Sequence, residues 1–315
     1  MIDSMKRGIW VGLKTTWNLG KFIFPITLIM TVLQYTPVLP WIARVINPLM
    51  KLFGLSGDAA IPLVLGYFLN LYAAIGGILT LHLTIKEVFI LAIMTCFCHN
   101  LPVESMVAVK AGVKLWIVLT VRLALSFLAG ILVNLFWHGG SQMAHTMMLG
   151  DAGDPHGFFA ILLTAIEKAF LGIYQMAIIV IPLMFVIQIL KDLMWINTFS
   201  KFMSPFIRVL GMKENTSTTM AAGLFFGLAY GAGVMIQAVE EDGVSQKDLT
   251  LAMIFLAACH AIVEDTLLFA PLGVPIYGLF GIRFSVAVIL TLVIGNIWRR
   301  SGIMKRKEPS YEQKY

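Results

Sequence analysis

Two short segments place ionisable side chains inside otherwise apolar sequence, where such groups are costly and mark candidate functional sites. They read CFCHNLPVES and AACHAIVEDT. Each segment combines a cysteine, a histidine and nearby carboxylates: Cys98, His99, Asn100 and Glu104 in the first, and Cys259, His260, Glu264 and Asp265 in the second. His260 and Glu264 would share one face of a helix, whereas Pro102 interrupts the helix between His99 and Glu104.

Three kinds of role are open for these side chains. Cysteine, histidine and carboxylate together suit a borderline metal such as iron or zinc, and the candidate metal ligands are His99, His260, Cys98 and Cys259. Their spacing matches no standard metal motif, so the sequence establishes no cofactor and leaves a divalent metal as a candidate. The same histidines and acids could instead relay protons, or satisfy one another at the ends of broken helices.

Two arginines, Arg122 and Arg283, lie well inside apolar stretches. An arginine in such a place needs a partner or a water-filled cavity, so we expect pairing with Glu104, Glu264 or Asp265. The alternative is that both guanidinium groups bind an anionic substrate, because their planar donors match a carboxylate or a phosphate.

The composition indicates that these segments belong to a membrane protein. Of the 315 residues, 59% are apolar and only 13% are charged, about half the roughly 25% charged share of soluble domains. This excludes a disordered chain and argues against an ordinary soluble enzyme. Membrane lipid is the expected partner of the outer surface. The basic residues after the last apolar stretch indicate contact with lipid head groups rather than nucleic acid.

An internal repeat relates the two segments. The offset is 157 residues in the first part of the repeat and 161 after an insertion near residues 240–242. The matches include Pro25 with Pro182, Gly66 with Gly223, His99 with His260, Arg122 with Arg283 and Trp137 with Trp298. We therefore predict two repeats, residues 1–137 and 158–298, joined by a linker at 138–157 and followed by a basic tail at 299–315.

The charge distribution predicts that the two repeats run in opposite directions. Lys6, Arg7 and the basic tail favour cytoplasmic termini, whereas the linker contains no lysine or arginine and is placed outside. Each half of the chain must then cross the membrane an odd number of times. We expect spans at 59–80 and 217–238 and re-entrant segments at 88–111 and 249–272. Four full crossings per half, the simpler alternative, would give parallel repeats.

The predicted fold is therefore all-α, a polytopic transmembrane helical bundle in the inner membrane. It contains two inverted-topology repeats, each with a re-entrant or broken-helix hairpin. The duplicated segments, with GLAYGAGVMIQ, resemble the Gate or nucleoside recognition family over nearly the whole chain. That family is similar to spore-maturation membrane proteins and, distantly, to the membrane domain of ferrous-iron transporters.

The resemblance to iron transporters rests on Asn100 and Pro102, which match a Cys-Asn-x-Pro segment, with His99 where that pattern has cysteine. No GxxxxGK[ST] motif occurs, so nucleotide-driven iron uptake by this chain alone is not expected. The sequence predicts a transporter of a small solute or ion, with a divalent metal among the candidates, through a midplane site. Transport of nucleosides or organic anions by Arg122 and Arg283 is the alternative.

Other classes of function are less well supported. A membrane-embedded enzyme would need a nucleophile or a metal-bound water, and neither HExxH nor GxSxG occurs in the sequence. A scaffold or sensor without transport is a further alternative, and a homodimer is compatible with the sequence. We expect the site to be formed by His99, His260, Glu104, Glu264, Asp265, Asn100, Arg122 and Arg283.

Overall fold

The computed structural model describes residues 2–36, 38–144, 157–192, 195–225, 227–228 and 243–301. Within these ranges the regular elements are helices, which confirms the predicted all-α bundle. The first half contains α1 (Ile2–Gln34), α2 (Val38–Leu52), α3 (Ala60–Phe68), α4 (Leu71–Ile78), α5 (Ile85–Cys98), α6 (Leu101–Lys110) and α7 (Leu115–Phe136). The second contains α8 (Phe158–Asp192), α9 (Trp195–Val209), α10 (217–225), α11 (Gln246–Cys259), α12 (Ile262–Leu267) and α13 (Ile276–Ser301).

The helices recur at the offsets seen in the sequence. The pairs α2 and α9, and α3 and α10, are separated by 157 residues, whereas α5 and α11, and α7 and α13, begin 161 residues apart. The insertion that changes the offset, most of the linker and most of the basic tail lie outside the described residues. The described parts of the two halves therefore follow the same order of elements, and most of the counterpart of α4 lies outside the described residues.

The two long helices α1 and α8 pack against each other in antiparallel directions. A Cβ added to Gly8 would meet Phe185, and one added to Gly20 would meet Ile173. Contacts therefore move toward the start of α8 as they move toward the end of α1. Because α1 and α8 are equivalent elements, their antiparallel packing means that the two repeats point in opposite directions, as the charge distribution predicts.

Four helical segments of the described residues are long and apolar enough to cross a membrane: Ile85–Lys110, Leu115–Phe136, Gln246–Leu267 and Ile276–Arg300. The first and third, which join α5 to α6 and α11 to α12, have 83% and 89% of their most apolar stretch buried. The corresponding values for α7 and α13 are 33% and 22%. The two broken segments therefore form the centre of the bundle, and α7 and α13 present apolar surface outward.

The segment α5–α6 is a crossing with a break, not a re-entrant tip. The Ile85 amide, at the start of α5, donates to the Gln142 carbonyl just beyond the end of α7, at 2.8 Å. The end of α6 lies just before the start of α7. Since α7 has 22 residues and is about 33 Å long, the ends of α5–α6 are separated by the length of a membrane span.

The re-entrant hairpin is formed instead by α3 and α4. These helices have nine and eight residues, too short to cross a hydrocarbon core of about 30 Å. They are antiparallel, because a Cβ on Gly66 would meet Ala74 and one on Gly77 would meet Pro62. The prediction of a full span at 59–80 is therefore wrong, since an apolar stretch of this length suits either structure. Asn70 interrupts the apolar stretch, because its side chain caps the N-terminus of α4.

The close contact between α1 and α8 provides a test of their packing. A Cβ on Gly12 would lie 2.9 Å from Ile181 Cα and 3.0 Å from its carbonyl oxygen, so a methyl group meets backbone that cannot move aside. We expect Gly12→Ala to lower the free energy of unfolding by about 1–3 kcal/mol, measured by thermal unfolding in detergent.

A helical glycine in open space is the matched control. A Cβ on Gly281 meets nothing within 4 Å. We expect Gly281→Ala to leave the melting temperature unchanged or raise it, because alanine is the better helix former. A Gly12→Ala protein that melts no lower than Gly281→Ala would contradict the packing of α1 on α8.

Candidate functional site

The two central spans break at equivalent positions, immediately after a histidine. His99 and His260 end α5 and α11 in an extended conformation. The next residues, Asn100 and Ala261, have φ values of 49° and 41°, in the left-handed region that L-residues other than glycine and asparagine seldom adopt. The left-handed conformation recurs in both repeats, and at Ala261 it is strained, so the surrounding structure must stabilise it.

The amide hydrogens of Asn100 and Ala261, at the two breaks, are bound by residues of α3 and α10. The carbonyl oxygens of Gly66 and Gly223 accept them at 2.9 and 3.2 Å. The approach is close because both acceptors are glycine: a Cβ would lie 2.8 Å from Thr95 Cγ2 at Gly66, and 2.4 Å from Leu256 Cδ1 at Gly223. At both positions a glycine therefore allows the close approach of neighbouring helices.

In the first repeat, Arg122 joins the two pieces of the broken span. It is completely buried in α7, and its Nε and Nη2 donate to the carbonyl oxygens of Phe97 and His99 at the end of α5. Its Nη2 also lies 2.8 Å from Glu104 Oε2, in the first turn of α6. A cation at a helix C-terminus and an anion at a helix N-terminus are each favourable, and here they form one ion pair.

The second repeat contains the same arrangement. Arg283, also completely buried, donates from Nε to Ala258 O at 3.4 Å and from Nη2 to His260 O at 2.8 Å. Its carboxylate partner is Asp265, at 2.9 Å. The expected pairing of both arginines with carboxylates is therefore observed. Each arginine has a structural role at its break.

The imidazole rings of His99 and His260 face each other across the interface between the repeats. Their centroids are 4.9 Å apart and their Nε2 atoms 3.3 Å apart. Each Nδ1 lies within hydrogen-bond distance of a carbonyl oxygen in the preceding helical turn, Thr95 O at 2.9 Å and Leu256 O at 2.7 Å. Because a carbonyl only accepts, both Nδ1 atoms must carry a proton and donate.

This arrangement directs only lone pairs toward the centre of the site when the histidines are neutral. With Nδ1 protonated, the Nε2 atom of each ring is an acceptor. Glu104 adds its carboxylate, with Oε1 3.5 Å from His99 Nε2 and Oε2 3.3 Å from His260 Nε2. All three side chains are buried. Such a group of buried acceptors needs a hydrogen-bond donor or a positive charge among them, such as a water molecule, a proton or a metal cation.

The structure brings together only part of the predicted site. Within the described residues, the group compatible with a metal ion consists of His99, Glu104 and His260. Cys98 and Cys259, the predicted sulfur ligands, are buried but do not belong to this group. Each is the last residue of its helix.

His260 and Glu264 do not lie on one helical face as predicted, because the left-handed residue Ala261 interrupts the helix between them. Glu264 instead accepts a hydrogen bond of 2.6 Å from the Tyr72 hydroxyl, which belongs to the opposite repeat. Sequence reasoning missed this role of Tyr72, because a tyrosine in an apolar helix is equally suited to packing. Asn100 contributes its backbone to the break, and its side chain makes no capping bond.

The family model described as Gate, nucleoside recognition, matches residues 16–114 and 173–283, one region in each repeat. The chain is 56% identical over 294 residues to YvoD, an uncharacterized membrane protein of Bacillus subtilis strain 168, and the match covers 93% of this chain and 94% of the relative. No solved structure matches the chain.

The buried ion pair of the second repeat tests the structural role of the arginines. Replacing Arg283 by methionine leaves Asp265 buried without its partner, which costs about 3–5 kcal/mol. We expect Arg283→Met to lower the free energy of unfolding by this amount, and Arg283→Met with Asp265→Asn to recover part of it. Denaturant unfolding in detergent would measure both, and native-like stability of the single variant would contradict the role of the ion pair.

Proposed function

Since the chain belongs to the Gate, or nucleoside recognition, family and is a multi-pass membrane protein, we propose that it is a transporter of a small cation. The observation that carries the proposal is the group of acceptors formed by His99, His260 and Glu104 at the break in both central spans. The first break comes 14 residues into a span of 26. This position of the break supports a site near the middle of the span. The association of the Gate family with transport rather than catalysis supports the proposal.

The composition of the site links it to movement of the repeats. His99 and Glu104 belong to the first repeat and His260 to the second, so any displacement of one repeat against the other changes the distances within the site. Inverted repeats that share a midplane site can expose it alternately to the two sides by such a movement. We propose that the cation is bound when the histidines face each other and is released when they separate.

The charges of the centre favour a cation over the anionic substrate considered from the sequence. Arg122 and Arg283 are each paired with one carboxylate and with backbone carbonyls. The charges of each pair cancel, so neither arginine offers an uncompensated positive charge. An added anion would therefore enter a region without compensating positive charge. Transport of nucleosides or organic anions through the arginines is not the function that this geometry supports best.

We further propose that both termini are cytoplasmic, that residues 138–157 lie outside, and that the protein resides in the cell membrane. Lys6 and Arg7 at the start of α1 and Arg299 and Arg300 in the last turn of α13 support this orientation. The outward apolar surface of α7 and α13 is the proposed contact with lipid.

Removal of one histidine tests the proposed function. Purified protein would be reconstituted into liposomes that contain a pH-sensitive or a metal-sensitive dye, and an inward gradient of protons, Zn²⁺, Mn²⁺ or Fe²⁺ would be applied. We expect a protein-dependent flux of at least one cation. The variant His260→Ala should lose this flux while it still elutes as a folded protein, because it removes one of the three groups that hold the cation.

The exposed residue His82 provides the matched control. His82→Ala changes the same type of side chain away from the site and should retain the flux of the native protein. Two results would overturn the proposal: native protein that carries none of these cations above empty liposomes, or a flux that His260→Ala leaves intact.

A further inference from the structure

We propose that the cation is a divalent first-row transition metal of the zinc or ferrous iron type, bound by His99 Nε2, His260 Nε2 and a Glu104 carboxylate oxygen. This inference deepens the proposed function, since it names the substrate class of the same site. The three groups come from α5, α6 and the end of α11, and their candidate ligand atoms lie within 4.8 Å of one another.

Three distances within the group are close to the edge of a tetrahedral metal site. Two ligands about 2.0–2.1 Å from zinc are separated by about 3.3–3.4 Å at the tetrahedral angle. The two Nε2 atoms are 3.3 Å apart, Glu104 Oε2 lies 3.3 Å from His260 Nε2, and Glu104 Oε1 lies 3.5 Å from His99 Nε2. One metal ion could contact all three side chains after a rotation of the Glu104 carboxylate that brings one of its oxygens toward both rings.

The surrounding groups orient these ligands as in other metal sites. A histidine that binds metal commonly donates its second ring N–H to a carbonyl or a carboxylate. Both histidines do so here, to Thr95 O and Leu256 O. Glu104 is held by Arg122 at 2.8 Å, which fixes the direction of its carboxylate. Removing a structural support of this kind typically weakens metal binding by about 10- to 100-fold.

The donor set selects the kind of metal. Two imidazoles and one carboxylate suit zinc, ferrous iron and neighbouring metals, whereas magnesium and calcium prefer sites made of oxygen atoms. Since Cys98 and Cys259 are outside the group, no thiolate is available to favour Cu(I). Three protein ligands leave a fourth position for water, which is the pattern of sites that exchange a ligand rather than of closed structural zinc sites.

Comparison of the two repeats indicates one metal site per chain rather than two. The counterpart of Glu104 in the second repeat is Asp265, which has one methylene fewer and pairs with Arg283 at 2.9 Å. It does not belong to the group of His99, Glu104 and His260. A single carboxylate therefore completes the pair of histidines, and the pseudo-twofold symmetry of the bundle is broken at the site.

Titration of the full chain in detergent with Zn²⁺, and with Co²⁺ as a spectroscopic probe, tests this proposal. We expect one ion per chain, a rise in melting temperature with Zn²⁺, and Co²⁺ absorption bands typical of tetrahedral coordination. Mg²⁺ and Ca²⁺ at the same concentration should produce no shift. The variants His99→Gln, His260→Gln and Glu104→Gln should each bind Zn²⁺ more than about 100-fold more weakly than the native protein. This loss is larger than the usual effect of removing a residue that only supports a metal ligand.

His82→Gln is the control and should bind like the native protein. Variants would be compared only when they elute as folded monodisperse protein, and the result for the native chain decides the question even if a variant fails to fold. Absence of stoichiometric Zn²⁺ and Co²⁺ binding, or binding unaffected in both folded histidine variants, would overturn the metal site.

The two proposals fail in different ways. Proton flux in liposomes without metal binding would overturn the proposed metal site and preserve the proposed transport of a cation. Stoichiometric metal binding without flux of any tested cation would preserve the metal site and overturn the transport function.

Discussion

The need to satisfy backbone polar groups at a break in a buried helix determines much of this structure. At membrane depth no bulk water is available to replace a lost helical hydrogen bond, so irregular backbone must be supported by protein. Each break is supported twice, by a glycine carbonyl from a neighbouring helix and by a buried arginine. These supports fix the direction of the two histidines, and without them the histidines would not face each other.

Inverted packing of two similar repeats then creates a site that neither repeat contains alone. Each repeat contributes a histidine whose Nδ1 is held by its own helix. Only the antiparallel arrangement brings the two Nε2 atoms to 3.3 Å. The difference between Glu104 and Asp265 removes the remaining symmetry, since the longer side chain reaches both histidines while its arginine still holds it.

The sequence predicted the features that depend on rare residues at fixed spacing. The duplication, the buried histidines and the pairing of Arg122 and Arg283 with carboxylates could all be recognised, because charged groups in apolar sequence need partners. It did not predict which apolar stretch forms the re-entrant hairpin, since a hairpin and a full span can have the same length and hydropathy. Nor did it predict that Glu104, rather than Glu264, would contact His260, because that contact crosses the interface between repeats.

The most direct test of the account is a measurement of contact between the two imidazoles in a lipid bilayer. Solid-state NMR on protein with ¹⁵N-labelled histidine can detect magnetisation transfer between ring nitrogens, and the variant His260→Gln assigns the signal. We expect direct transfer between the Nε2 atoms of His99 and His260, 3.3 Å apart, with both Nδ1 atoms protonated. Absence of that transfer in folded native protein, with the two rings exposed to water, would contradict it.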